Sequence, residues 1–443
     1  MEKFKYIVIG FGKGGKTLAK QLAQRGEQVL VIEESAEMYG GTCINVGCIP
    51  SKVLVTQSER HIPLENAAAR KTQLVQALRN KNYHMIADEP TATVWNGKAR
   101  FISDYELEVS LADGSVQHVV GEHIIINTGA TSSVPASLGV QVGERILTSR
   151  EALNLAEKPA SLVIVGSGYI GLEFASMFTN FGTKVQILEV ADSFIPREDA
   201  EIAALVKQDM EASGVQFAFG VKDLQLSEDE TSVTVHYQHD GENQTIQADY
   251  VLLATGRRPN TADLGLENTN IEVNERGAIV VDEHLRTKVE NVWAVGDVTG
   301  GLQFTYISLD DFRIVADQLF GEGQRTTQNR PVVPYTVFLT PSLSVVGLNE
   351  QQAVAAGYEV KVFKLPVAAI PKAHILGETR GLFKVVVNQA DNTILGASLY
   401  GIESHEVINL LTLALQAKIP YTQLKNQLYT HPTISESLND LFK

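Results

Sequence analysis

The chain contains two cysteines, Cys43 and Cys48, and both lie in the segment GGTCINVGCIP between Gly40 and Pro50. So close a pair of thiols in so long a chain is more often redox-active, or part of a metal site, than structural. In an ideal helix, residues five apart have Cα atoms ~8–9 Å apart, whereas a disulfide needs about 4.4–6.8 Å. If the cysteines pair, a helix must therefore be distorted between them, and Gly47 provides the backbone freedom. A pair in so tight a loop closes and reduces easily, which suits a working disulfide.

Two other interpretations of the cysteines remain open from the residues alone. They could be inert buried thiols, or they could be half of a zinc site. Zinc takes about four ligands, and no CxxC motif or close histidine pair supplies the others. The redox interpretation is therefore favoured.

One pattern occurs twice: an apolar strand, a glycine loop, a helix, and a second strand that ends in an acidic residue. The first copy is YIVIGFGKGGKTLAKQLAQRGEQVLVIEE and the second is SLVIVGSGYIGLEFASMFTNFGTKVQILEV. The glycines and acidic residues keep the same spacing in both copies: Gly10, Gly12, Gly15 and Glu33, then Gly166, Gly168, Gly171 and Glu189. Such glycines let a pyrophosphate approach the helix N-terminus, and the carboxylate accepts hydrogen bonds from a ribose diol. A single GxGxxG is a weak signal, but two in this context predict two dinucleotide-binding sites.

The composition is that of an ordinary globular protein. The chain has 443 residues, of which 44% are hydrophobic and 20% charged, and this length suggests about three domains. The net charge of -15 and the pI near 5.2 argue against a nucleic-acid partner or an acidic membrane surface. The apolar stretches fall short of the ~18 residues that span a bilayer, and MEKFKYIVIG leaves no room for a signal peptide. With so few cysteines, these features predict a cytoplasmic protein without a membrane partner.

The rest of the chain predicts shorter elements around the two sites. Residues 59–88 are expected to be helical, and TATVWNGKARFISDYELEVSLADGSVQHV alternates like a meander of short strands. HIIINTGA, YVLLATGRRPN and VENVWAVGDVTGG are strands that end in glycine turns. From Arg330 onward, strands followed by the helix SHEVINLLTLALQAK indicate a separate C-terminal domain. The apolar face of that helix, expected in a core or a subunit interface, consists of Val407, Ile408, Leu411 and Leu415.

A series of motifs resembles the flavoprotein disulfide reductases: GGTCINVGCIPSK, the two glycine loops, ATGRRPN, VWAVGDV and HPTISE, in this order. That family includes glutathione reductase, dihydrolipoamide dehydrogenase and mercuric reductase, and the resemblance covers the whole chain. Within the family, FGKGGKTLA, MYGGTCINVGCIPSK, GDVTGGLQFTYISLDDFRIV, LPVAAIP and SESLNDLF are similar to the bacterial reactive-chlorine-resistance flavoproteins. That clade is associated with the reduction of hypothiocyanous acid.

The resemblance implies FAD at the first nucleotide site and NADH at the second. The implied FAD contacts are Gly10, Gly12, Gly15, Glu33, Gly41, Thr42, Lys52, Gly129, Asp297 and Thr305. The implied contacts of the nicotinamide nucleotide are Gly166, Gly168, Tyr169, Ile170, Gly171, Glu189 and Gly256. Glu189 suits a free 2′-hydroxyl and would repel a 2′-phosphate, and LEVADSFIPR has no arginine before Arg197. NADH is therefore the expected donor, with NADPH as the alternative.

The resemblance also assigns roles around the thiols. Cys43 and Cys48 become a redox-active disulfide, with Cys48 on the flavin side and Cys43 on the substrate side. Lys52 and Glu173 match the family's ion pair beside the flavin, although either could be a surface charge from sequence alone. Tyr169 matches the aromatic gate that shields the flavin until the nicotinamide arrives.

His431 matches the family's acid–base histidine in HPTISE. A histidine before a proline near a C-terminus is usually a turn residue, but Glu436 lies five residues on and can orient the imidazole. A thiol reductase needs such a base. In the family this histidine comes from the other subunit, so the resemblance implies an obligate homodimer that acts on a small-molecule oxidant.

The implied fold class is α/β, with two Rossmann-like dinucleotide-binding domains, for FAD and NAD, plus an α+β C-terminal dimerisation domain. The expected boundaries are 1–149 with 259–330 for the FAD-binding domain, 150–258 for the NAD(H)-binding domain, and 331–443 for the dimerisation domain.

Several other functions compete with hypothiocyanous acid reduction. Dihydrolipoamide dehydrogenase shares the disulfide and the histidine motif, but GLQFTYISLDD replaces the segment expected after its GD motif. Glu189 disfavours glutathione reductase, and the absence of a C-terminal cysteine pair disfavours mercuric reductase. Reduction of Cu(II) at the active thiols stays open. A catalytically silent flavin-binding scaffold is the non-enzymatic alternative, and the joint presence of both cysteines, His431 and Glu436 argues against it.

Overall fold

A computed structural model describes residues 1–443 and contains three main sheets. The largest hydrophobic cluster joins the second sheet, the C-terminal sheet and helices of the N-terminal part. The first sheet is built on the strand Glu2–Ile9, which pairs in parallel with Val29–Glu33 across the glycine loop and the helix Lys13–Gln24. Ile7, Val8, Leu30 and Val31 are fully buried, as expected for parallel strands covered on both faces. The first copy of the sequence pattern therefore folds as predicted.

The predicted meander completes this first sheet. Its strands pair with one another in antiparallel order, and the last of them also pairs in parallel with Glu2–Ile9, which closes the sheet into a ring. The remaining strands of the sheet are Ala92–Phe101, Glu106–Leu111, Val116–Ile126 and Val292–Ala294.

The second copy of the pattern forms a separate parallel sheet. Its central strand Ser161–Val165 is followed by the glycine loop, the helix Tyr169–Asn180 and the strand Lys184–Leu188. Its other strands are Ile146–Leu147, Gln216–Ala218 and Tyr250–Leu253, and an antiparallel meander beside it comprises Lys222–Glu228, Val233–His239 and Glu242–Ala248. The helix Ala200–Ala212 packs in the same domain.

The C-terminal third forms an antiparallel sheet with the helix Ser404–Gln416 against it. Its strands, in spatial order, are Tyr335–Val337, Leu343–Gly347, Ile394–Tyr400, Leu382–Asn388 and Val360–Pro366. The predicted apolar face of the helix packs in this core, where Val407, Ile408 and Leu411 are buried and Leu415 is partly buried. Leu410 and Leu413, on the opposite face, are exposed.

The cysteine segment contains an interrupted helix. One short helix, Thr42–Asn45, contains Cys43, and a second, Cys48–Glu59, begins at the other cysteine. The break falls at Val46 and Gly47, as the sequence predicts for a close cysteine pair. The helix expected over 59–88 begins later, because Pro63 starts a separate helix, Leu64–Ala87.

Lys384 connects the C-terminal sheet to the second domain. Its ammonium lies 2.8 Å from both Asp199 and Glu350 and 3.4 Å from Glu201. Both Lys384 and Asp199 are almost completely buried. The other oxygen of Asp199 accepts backbone N–H groups in the first turn of the helix Ala200–Ala212. One carboxylate therefore caps a helix of one domain and neutralises a cation of another.

Across these domains, no helix combines the length and apolar character that crossing a bilayer requires.

Candidate active site

The first glycine loop is fixed by contacts that only glycine permits. Gly10 has a φ of +98°, and a Cβ placed on it would lie 2.4 Å from the carbonyl oxygen of Asn127. The Phe11 N–H donates to Glu33 (2.9 Å), and the Gly15 N–H donates to the side-chain oxygen of Asn127 (3.0 Å). The loop thus directs the start of the following helix toward Glu33, the arrangement that a dinucleotide needs.

Glu33 is held in an unusual electrostatic state. Burial raises the pKa of its carboxyl group to about 7, against the opposing effect of N–H donors from Phe11 and Ser35. A ribose diol bound here would donate to the same carboxylate and favour its ionised form.

The second loop repeats this geometry. The Ser167 N–H and hydroxyl donate to Glu189 at 2.6 and 2.8 Å, and the Ala191 N–H donates at 2.9 Å. Although burial opposes ionisation, the hydrogen bonds from Ala191 and Ser167 lower the pKa of Glu189. A Cβ on Gly168 would meet nothing within 4 Å, so this loop has open space at the helix start. Ile170, the second residue of that helix, is exposed.

The cysteine segment touches the first loop. Gly41 has a φ of +77°, and a Cβ on it would lie 2.7 Å from the Cα of Gly12. Thr42 follows at the start of the short helix that contains Cys43. A dinucleotide at the first loop would therefore also meet the backbone at Gly41 and Thr42.

Two charged side chains, those of Arg257 and Asp297, approach the first site from other parts of the chain. Gly129 and Gly256 directly precede the short strands Ala130–Ser132 and Arg257–Pro259, which pair with each other. This pairing brings Arg257 to 4.0 Å from Asp297. Burial raises the pKa of Asp297 and lowers that of Arg257, and each charge opposes the effect on the other. The first glycine loop, Glu33, Asp297 and the partly buried Arg257 together form a donor and acceptor set that fits FAD.

The two cysteines are free thiols in the structure. The interaction between the two sulfurs lowers the pKa of Cys48 and, together with burial, raises that of Cys43. The Thr305 hydroxyl lies 3.6 Å from the Cys48 sulfur, and the Lys52 charge also favours its thiolate. The pair is thus polarised, because its surroundings favour a thiolate at Cys48 over a thiolate at Cys43.

Lys52 and Glu173 are brought together. Their side chains form an ion pair at 2.5 Å, the other oxygen of Glu173 accepts the Phe338 N–H at 2.9 Å, and Glu173 is buried. The Lys52 ammonium also lies 4.9 Å from the centre of the Phe338 ring. The surface-charge alternative therefore does not describe Glu173.

Tyr169 begins the helix that follows the second loop. Its hydroxyl donates to Glu198, and its ring stacks on that of Tyr335 with centroids 5.6 Å apart.

His431 and Glu436 also lie together. The imidazole Nδ1 is 2.8 Å from the Glu436 carboxylate, and the His431 side chain is 71% exposed. The hydrogen bond from His431 lowers the pKa of Glu436. Within its own chain the imidazole makes no hydrogen bond to either thiol, so it is oriented and free to meet another surface.

Sequence reasoning missed several residues of the site. Asn127, Arg257, Glu198 and Tyr335 lie far along the chain from the groups that they contact. Lys16 was missed as well: it is buried, its ammonium donates to the Gly40 carbonyl at 3.2 Å, and burial lowers its pKa to about 8. Two lysines in FGKGGKTLA were the available signal for Lys16.

The chain is similar to known proteins over nearly its whole length. The family model for pyridine nucleotide-disulphide oxidoreductases matches residues 4–311, and the model for the dimerisation domain of that family matches residues 333–442. The chain is 50% identical over 442 residues to a probable pyridine nucleotide-disulfide oxidoreductase, RclA, of Escherichia coli K12, with 100% of this chain and 99% of the relative covered. It is 35% identical to dihydrolipoyl dehydrogenase of Geobacillus stearothermophilus, with 97% and 93% covered.

A solved structure has the same fold throughout. The Cu(II) complex of the HOCl-induced flavoprotein disulfide reductase RclA from Escherichia coli superimposes with a TM-score of 0.96 at 49% identity, covering 100% of this chain and 99% of that one.

Proposed function

The chain belongs to the pyridine nucleotide-disulfide oxidoreductase family, and on that premise we propose that it reduces hypothiocyanous acid to thiocyanate, with NADH as the donor. Members of this family are FAD-dependent and use a pyridine nucleotide. The finer assignment rests on the site and on the similarity to the HOCl-induced Escherichia coli reductase.

The close pair of free thiols at the break in the helix is the observation that carries the proposal. A small electrophilic oxidant needs one thiol to attack it and a second to resolve the adduct, and it needs no extended substrate pocket. The lowered pKa of Cys48 suits it to resolve the adduct as a thiolate, whereas the raised pKa of Cys43 means that this thiol needs a base before it can attack.

The reaction balances without a further co-reactant. When bound, FAD supplies the transfer of two electrons from the nicotinamide to the cysteine pair. Cys43 attacks the sulfur of hypothiocyanous acid, a bond forms between the two sulfurs, and the hydroxyl leaves as water with the thiol proton. The Cys48 thiolate then attacks Cys43, which releases thiocyanate and forms the disulfide.

The proton on Cys43 gives His431 its role. A thiol with a raised pKa needs a base at the moment of attack, and the exposed imidazole paired with Glu436 is suited to relay that proton to the leaving hydroxyl. We propose that it does so across the interface of an obligate homodimer, so that His431 of one subunit serves Cys43 of the other. The match to the family's dimerisation domain and the exposed Leu410 and Leu413 support this assembly.

Glu189 supports NADH as the donor. Its pKa is lowered, and at the end of the strand after the second glycine loop its charge would favour a ribose diol and repel a 2′-phosphate. We assign the remaining roles as the family resemblance implies: Tyr169 as the gate, and Lys52 with Glu173 beside the flavin.

Reduction of Cu(II) is the second candidate. The solved relative was obtained as a Cu(II) complex, and a thiolate next to a thiol can bind and reduce that ion. We assign this second reaction to the same two thiols.

The test is steady-state NADH oxidation by the purified holoenzyme with hypothiocyanous acid, lipoamide, glutathione disulfide and Cu(II) side by side. We expect hypothiocyanous acid to give the highest kcat/KM and the Cys43→Ser variant to lose it. Efficient lipoamide turnover with negligible hypothiocyanous acid turnover would overturn the substrate. A flavin that NADH does not bleach would identify a silent scaffold.

A further inference from the structure

Glu198 is a buried carboxylate that joins two tyrosines. It is 6% exposed. The Tyr335 hydroxyl lies 2.7 and 2.9 Å from its two oxygens, and the Tyr169 hydroxyl donates to one of them. A buried carboxylate is stable only when donors satisfy it, so the two hydroxyls and Glu198 hold one another in place.

The tyrosines continue into a stack of aromatic rings. Tyr335 lies nearly parallel to both Tyr169 and Phe304, at centroid distances of 5.6 and 6.3 Å, and Phe304 stacks on Tyr306 at 5.1 Å. Tyr306 adjoins Thr305, which contacts the Cys48 sulfur. The stack therefore extends from the second glycine loop to Tyr306, the neighbour of the residue that contacts the Cys48 sulfur.

Glu198 itself is firmly anchored. The next residue, Asp199, caps the helix Ala200–Ala212 and forms the buried ion pair with Lys384. Glu198 therefore cannot follow Tyr169 if that side chain moves, and the hydrogen bond between them must break.

Movement of Tyr169 follows from the gate role proposed above. Tyr169 directly follows Gly168, where the open loop would hold a pyrophosphate, and its ring begins the aromatic stack through Tyr335. As the gate, the Tyr169 ring would give way to a nicotinamide that approaches the flavin. A bound nicotinamide and the closed Tyr169 thus compete.

We propose that Glu198 is a positioning residue that latches Tyr169 in its closed position and thereby sets the affinity for the nicotinamide end of the nucleotide. The proposal rests on the proposed function, because it takes the second loop as the pyridine nucleotide site. Burial and the hydrogen bond to Glu198 raise the pKa of Tyr169 to about 12, so the hydroxyl stays a donor throughout the neutral range.

The test compares two non-reducing ligands that differ at the nicotinamide. NAD⁺ must displace Tyr169, whereas ADP-ribose fills only the remainder of the site. We expect Glu198→Gln to bind NAD⁺ about tenfold more tightly in calorimetry, the lower end for loss of a hydrogen bond to a charged acceptor. We expect its ADP-ribose affinity to match that of the wild type.

Tyr169→Phe removes only the hydroxyl and keeps the stacked ring, so it should reproduce the gain for NAD⁺. The double variant should add nothing further, because both changes break the same bond. Glu211→Gln is the matched control: it removes one negative charge from an exposed position on the next helix and should leave both affinities unchanged.

An unchanged NAD⁺ affinity in Tyr169→Phe would overturn the latch, even if Glu198→Gln failed to fold. Equal tightening of NAD⁺ and ADP-ribose would overturn it too, because that result indicates a general loss of charge repulsion. If the variants bind NAD⁺ more tightly as expected but the wild type does not turn over hypothiocyanous acid, the proposed substrate is wrong and the latch is still supported.

Discussion

Replacing Glu189 by arginine should move the preference of the enzyme from NADH toward NADPH. Glu189 accepts three hydrogen bonds from Ser167 and Ala191 at 2.6 to 2.9 Å. These bonds leave the carboxylate fixed at the end of its strand, where it would accept a ribose diol. The substitution removes that acceptor and places a cation at the position of a 2′-phosphate.

The expected change in nucleotide preference is the sum of two contributions, one for each nucleotide. Loss of the ribose bond to a charged acceptor disfavours NADH by ~1.5 kcal/mol, and a new pair between guanidinium and phosphate favours NADPH by a similar amount. Each of these free energies is at the lower end of the range for hydrogen bonds to charged groups, because Glu189 is only half-buried. The sum of ~3 kcal/mol corresponds to a change of about a hundredfold in the ratio of kcat/KM values. Loss of the hydrogen bonds that Glu189 accepts from Ser167 and Ala191 weakens the binding of both nucleotides equally, so it does not change that ratio.

The assay is the ratio of kcat/KM for NADPH and NADH in the wild type and in Glu189→Arg. Ser167→Ala is the control, since it removes one hydrogen bond to Glu189 (2.8 Å) and keeps the carboxylate. We expect it to lower both efficiencies together. A ratio in Glu189→Arg within about threefold of the wild type, or an equal change in Ser167→Ala, would refute the role given to the Glu189 charge.

Four further outcomes are expected. Cys43→Ser should lower hypothiocyanous acid turnover by at least ~10³-fold yet leave bleaching of the flavin by NADH intact in stopped flow, whereas Cys48→Ser should allow one stoichiometric attack without turnover; full turnover in either variant would contradict the two-thiol scheme. Mixing Cys43→Ser with His431→Ala subunits should give hybrids with one intact site, and verified heterodimers that stay inactive would exclude the cross-subunit arrangement. His431→Ala should slow hypothiocyanous acid turnover less than lipoamide turnover, because only the leaving hydroxyl needs a proton and thiocyanate leaves without one, whereas both thiolates released from lipoamide must be protonated; an equal loss in kcat would count against this. Burial raises the pKa of Glu33 to about 7, so just below that pH the folded chain binds more protons than the unfolded chain. FAD-depleted protein should therefore gain thermal stability as the pH falls from 7 to 5. The difference in Tm between the wild type and Glu33→Gln should disappear at the acid end of this range.

Features encoded within a short segment could be predicted from the sequence. The glycine loops and their acidic partners, Glu33 and Glu189, follow from one strand–loop–helix–strand unit. The helix break at Gly47 follows from the spacing of the cysteines. The pairing of His431 with Glu436 also lies within one motif, and in each case the decisive partners are close along the chain.

Contacts between distant segments could not be predicted in this way. Nothing in the local sequence of Glu198 indicates that Tyr335 will lie against it, because their pairing depends on how the C-terminal sheet docks on the second domain. The same holds for Asn127, whose amide supports the first loop from the end of a later strand. Polar residues of this kind look like ordinary loop residues until packing assigns their partners.

The ion pair of Lys384 with Asp199 limits how this chain can be recombined with its relatives. A chimera that joins the nucleotide-binding part of this protein to another C-terminal third would retain Asp199 in its buried position and lose the ammonium that neutralises it. Breaking a buried pair in this way costs ~3–5 kcal/mol. A crossover point is therefore acceptable only where the strand Leu382–Asn388 is inherited with Asp199, or where the donor strand also has a lysine at the position of Lys384.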